Sequence, residues 1–104
     1  AGEPVDLATW GQEITPEHSK AITKVHGLEL AKLVLQAGEE MHPQGYCNVP
    51  GPIVIHCIEG EVRVRTRDIA ETLTDGQLLY LEGGTDHALT GVSKSVVLLT
   101  IVLV

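Results

Sequence analysis

The sequence predicts an all-β chain closed into a sandwich or barrel, on three observations. The hydrophobic fraction is 43%, yet there is no Phe, one Trp and two Tyr, so the core must be built from Val, Leu and Ile, which suit strands better than helices. Apolar runs are short, several alternate with a period of two, and turn residues punctuate them at intervals of roughly eight to twelve residues. The last run, SVVLLTIVLV, is apolar at nearly every position, as in a strand buried on both faces.

The elements follow in order. Residues 1–19 contain Pro4, Gly11 and Pro16, which prevent a long element, and read as an arm that packs on the domain or on a neighbour. From Lys20, KAITKV alternates like a strand, and His26-Gly27 turns the chain. Residues 28–36, LELAKLVLQ, carry both a strand and a helix pattern; strand is the expectation. The loop AGEEMHPQGYCNVPGP holds three glycines and three prolines, which forbid a regular interior. IVIHCIEGEVRVRT then reads as two strands around a tight turn at Glu59-Gly60-Glu61. Val62 and Val64 alternate with Arg63 and Arg65, giving the second strand one wet face. IAETL, a hairpin turn at Thr74-Asp75-Gly76, and QLLYL follow, before the final strand.

A chain of 104 residues holds one domain. With 14 acidic residues against 7 basic ones, no face is expected to neutralise several phosphates, so nucleic acid is not an expected partner. The longest apolar run is about half of what a membrane-spanning helix needs, so no membrane association is expected either. The opening AGEPVD has neither a basic nor an apolar leader region. Cys47 and Cys57 form no disulfide framework and no C-x-x-C, which together predict a cytoplasmic setting.

Residues 76–91, GQLLYLEGGTDHALTG, resemble the second conserved motif of the cupins: glycine, five residues, proline, one, glycine, two, histidine, three, asparagine. Gly76, Gly84 and His87 match, while Glu82 replaces the proline and Gly91 the asparagine. The first cupin motif carries a His-x-His pair, a glutamate and a closing glycine. Gly60 resembles that glycine, which places Ile53 where the metal-binding glutamate belongs. Counting from Gly38 puts the paired histidines on Gln44 and Tyr46, and a short insertion moves one of them to Cys47. CNVPGPIVIHCIEG also resembles a stretch in small bacterial cupins of unassigned role, in which Cys47 replaces a histidine and His56 a glutamine. The resemblance covers about residues 20–104 and implies a cupin-like double-stranded β-helix, or jelly-roll barrel.

Since such barrels aim a ligand inward from this position, the resemblance implies that His87 points into a cavity. There an imidazole can bind a divalent cation or carry a proton. The candidate metal set is His87, Cys47, His42 and His56, suited to zinc, iron, manganese or nickel. His56 poses a parity problem, because Ile53, Ile55 and Cys57 share one face of their strand while Val54, His56 and Ile58 share the other. Tyr46 and Tyr80 are expected in the core, and Glu39 and Glu40 on an acidic rim. His18 and His26 receive no role.

Three functions remain open. The first is a module that binds a small organic molecule in a cavity around His87, with or without a metal. The second is a metal-dependent oxygenase or isomerase, and the third a ligand-free scaffold or sensor remnant. A homodimer is expected, because two apolar-faced strands leave surface that a lone small sandwich would struggle to cover.

Overall fold

The computed structural model describes Pro4, residues 20–42 and residues 45–104. The strands among these residues are β1 (Lys20–Val25), β2 (Leu28–Leu35), β3 (Glu40–Met41), β4 (Ile53–Glu59), β5 (Glu61–Thr66), β6 (Ala70–Thr74), β7 (Leu78–Leu81), β8 (His87–Gly91) and β9 (Ser95–Val102). One sheet has the order β1-β2-β9-β4-β7 and the other β3-β8-β5-β6, with every pairing antiparallel. None of the described residues is helical, so none forms a helix long and apolar enough to cross a membrane. The arm expected over residues 1–19 lies, Pro4 apart, outside the described residues, and so do His18 and Gln44.

Period-two alternation places the core. Ile53, Ile55 and Cys57 of β4, Leu33 and Leu35 of β2, and Val97 of β9 face Val62 and Val64 of β5, Leu73 of β6 and Leu89 of β8 in one apolar cluster. The ambiguous run after Gly27 is a strand, since β2 pairs along its whole length with β9, from Leu28 opposite Val102 to Leu35 opposite Ser95. The closing strand is buried at Ser95, Val96 and Val97, only partly buried from Leu98 to Ile101, and exposed at Val102. Burial on both faces therefore holds for its first half alone.

Three expectations need correction. The turns at Gly60 and Gly76 do not close hairpins, because β4 and β7 lie in one sheet and β5 and β6 in the other. Both are corners where the chain crosses between layers, and they are tied together: Gly60 N–H donates to Asp75 Oδ1 (2.6 Å), and Gly76 N–H to the Cys57 carbonyl (2.8 Å). At Gly60 φ is 96°, and a Cβ there would collide with the Lys94 carbonyl, so only glycine fits. Secondly, the loop after β2 is not wholly irregular; Glu40 and Met41 pair with Thr90 and Leu89, and Cys47 bridges His87. Finally, the tyrosines are not core. Tyr80 is 57% exposed on edge strand β7, and Tyr46 is half-buried on the outer side of the four-stranded sheet. The core is closed by aliphatic chains without them.

Candidate functional site

His87 is the first residue of β8 and is only 3% exposed. Strand parity aims it inward with Leu89 and Gly91, away from Ala88 and Thr90. Two backbone hydrogen bonds join it to Cys47: Cys47 N–H to the His87 carbonyl (2.7 Å) and His87 N–H to the Cys47 carbonyl (2.9 Å). Directly opposed residues of an antiparallel pair point to the same face, so thiol and imidazole sit side by side. Around them is a cavity of about 50 Å³ lined by Met41, His42, Cys47, His87, Leu89 and Leu99.

The turn that delivers His87 is clasped from several sides. Gly84 N–H donates to the Val49 carbonyl (2.8 Å), and Asn48 Nδ2 donates to both the Gly84 carbonyl (2.8 Å) and Asp86 Oδ1 (2.7 Å). Arg67 Nε donates to Asp86 Oδ2 at 2.6 Å. The Asn48 hydrogen bond, with that from Arg67 next, holds the Asp86 carboxyl below its ordinary range. Nothing in the sequence singled out Asn48, Asp86 or Arg67. Their one signal was adjacency: once Cys47 pairs with His87, their neighbours Asn48 and Asp86 must meet.

Imidazole chemistry follows from one further contact. His87 Nδ1 lies 3.0 Å from the Thr85 carbonyl oxygen. A carbonyl only accepts, so Nδ1 carries the proton and, in the neutral ring, Nε2 keeps its lone pair. His42 has a φ of 61°, a left-handed conformation that costs a non-glycine residue about 1 kcal/mol, and its carbonyl accepts from Gly45 N–H (3.1 Å). The strain sits at the rim of the cavity.

Of the four sequence candidates, the cavity brings together His87, Cys47 and His42. His56 is not among them. It pairs with Leu78 and Leu98 on the outer face of the five-stranded sheet, as parity required, and the register shift between Cys57 and Glu59 does not turn it inward. Cys57 faces inward but serves the core: it is 0% exposed, and burial, with Asp75 adding to it, pushes its thiol up to about 11. Ile53, in the glutamate position, is core as well. Among the described residues no three His, Cys, Asp or Glu side chains gather into a group that could hold a metal ion. With Ile53 in the glutamate position, the donors among the described residues differ from the ligand set that the cupin resemblance implies.

The architecture is that of a small cupin jelly roll. No protein-family model matches the sequence, and no curated protein matches it either. Solved structures do. A conserved protein of unknown function from Streptococcus pyogenes is 23% identical, with a TM-score of 0.81 over 100% of this chain and 90% of that one. A cupin superfamily protein from Desulfitobacterium hafniense is 15% identical, with a TM-score of 0.82 over 100% and 94%. An RmlC-like cupin from Desulfovibrio desulfuricans is 21% identical, with a TM-score of 0.71 over 98% and 92%. At such identities the likeness establishes the fold alone, and function must be argued from the site.

Proposed function

We propose that the chain is a binding module that holds a small, mostly apolar molecule, or one end of a larger one, in the cavity beside His87. The observation that carries this reading is the make-up of the cavity wall. Met41, Leu89 and Leu99 offer apolar surface, and His87, with Nδ1 committed to Thr85, has Nε2 left as a hydrogen-bond acceptor. Ligand pockets are built this way, from apolar walls and a few placed polar groups. A volume of about 50 Å³ restricts the buried part to a few heavy atoms. The matching ligand is a short aliphatic body bearing one donor, such as an alcohol.

The oxygenase or isomerase alternative is less well supported. It calls for a cation or a carboxylate at the reacting centre, and no Asp or Glu lines the cavity. Short alcohols, followed through methyl signals by NMR, test the proposal. The expected shifts fall on Met41, Leu89 and Leu99 and vanish in Leu99→Phe, which fills the space. Unmoved methyls across the series, or the same shifts in the filled variant, would count against it.

The homodimer belongs to the same proposal. Leu78 and Tyr80 are each 57% exposed on β7, an edge strand of the five-stranded sheet, and apolar edge surface of this kind is commonly covered by a partner. Light scattering should give twice the 11.1 kDa chain mass, and Leu78→Lys should return it to the monomer value. A monomer at micromolar concentration would contradict this part.

A further inference from the structure

The outer face of the four-stranded sheet carries a feature that lies outside the cavity. The chain has three arginines in all, Arg63, Arg65 and Arg67, within a protein of net charge -7. Val62 and Val64 point into the core, so parity sets Arg63 and Arg65 on the outer face of β5, roughly 7 Å apart along the strand. Their ladder neighbours are small: Thr72 and Thr90 flank Arg63, and Ala70 and Ala88 flank Arg65.

Tyr46 packs against two of the three arginines. The Arg65 guanidinium carbon lies 5.0 Å from the centre of its ring, and that of Arg67 4.7 Å. Ala88, although it points outward beside Arg65, is 0% exposed. Two cations on one ring repel each other, and only Arg67 has a carboxylate to offset its charge, namely Asp86. Arg63 and Arg65 have no side-chain hydrogen bond or ion pair among the described residues. Glu61, two residues before Arg63 on the same face, and Glu40, beyond Thr90, form an acidic margin without reaching either arginine.

We propose that this face is a docking surface for an extended acidic peptide segment of another protein, held by bidentate contacts from Arg63 and Arg65 and bordered by the Tyr46 stack. Charge complementarity is the argument. Arginine forks match carboxylates in geometry, and the stacking on Tyr46 holds one fork in place before any partner arrives. The same-face spacing of the two arginines equals that of alternate side chains in an extended peptide. An open sheet face with a row of charges suits a polymer better than it suits a single enclosed metabolite.

The test is an NMR titration of the whole chain at low salt with a capped peptide, Glu-Thr-Glu-Thr-Glu, and with its Gln-Thr-Gln-Thr-Gln counterpart. The acidic peptide should shift the amides of Thr72, Ala88 and Thr90, bind at least tenfold more tightly than the neutral one, and weaken at 150 mM salt. Binding should fall at least tenfold in R63Q/R65Q. Should that variant fail to fold, R63K/R65K keeps the charge and loses the fork, and a threefold or greater weakening is expected. Four results would overturn the proposal: equal binding of the neutral peptide; undiminished binding by the variant used; tighter binding of succinate or inorganic phosphate than of the peptide, which marks a small-anion site; or concentration-dependent shifts of the same amides without peptide, which assign the face to a second copy.

Discussion

The two cysteines, ten residues apart in sequence, divide cleanly by environment. Cys47 is half-buried beside His87 at the cavity, whereas Cys57 is sealed in the core with its sulfur 3.5 Å from the Gly60 carbonyl. The thiolate is the reactive form, and with its thiol pushed up to about 11 Cys57 is roughly one part in a thousand ionised at pH 8. Iodoacetamide at pH 8 should therefore add one group to the native chain, at Cys47, and a second only after unfolding. Mass spectrometry of the digested adduct decides it; equal labelling of both residues would show that the β4 face has been misplaced. At this scale the sequence was partly legible. The parity of β4 sorted Ile53, Ile55 and Cys57 from Val54, His56 and Ile58 correctly, because a strand has only two faces. It could not show that Arg67, Asn48 and Asp86 would converge, since that contact depends on a loop laid across a turn 38 residues away.

Elements were legible where periodicity is strong, and sheet membership was not. The expected strands fall within two residues of β1, β2, β4 to β7 and β9. What the pattern cannot encode is whether a glycine turn folds a strand back on its neighbour or carries the chain to the other layer. Gly60 and Gly76 have the same left-handed φ that a hairpin needs, 96° and 81°. The difference lies in what surrounds them: a Cβ at Gly60 meets the Lys94 carbonyl and Ser95, whereas one at Gly76 meets nothing within 4 Å. Gly60→Ala should thus cost about 2 kcal/mol or more, from backbone strain and a collision together, and Gly76→Ala only about 1 kcal/mol, from strain alone. Urea unfolding of the two variants measures the gap, and equal midpoints would refute the close approach of Gly60 to Lys94 and Ser95. The two-residue strand β3 escaped notice for a different reason. It is too short to show a period, and its pairing is imposed by β8.

For the whole molecule, the aliphatic composition specified two sheets around one core, and the motif around His87 specified the barrel. The cupin fold accommodates many chemistries, so the same residues leave activity to be decided by the cavity wall. His87 keeps its place in the motif, but around it Ile53 is buried in the core where the resemblance has a glutamate, His56 lies on the outer face, and the donors that remain form no cation-holding group among the described residues. A buried imidazole inside the barrel, its Nδ1 turned to the Thr85 carbonyl, is what the whole fold then presents. Long-range proton–nitrogen correlation of the histidine rings at a pH where His87 is neutral tests this most directly. The expected spectrum has the His87 proton on Nδ1, protected from solvent exchange by the Thr85 carbonyl, with Nε2 bare. A proton on Nε2, or a ring averaging rapidly between tautomers as an exposed histidine does, would contradict the account.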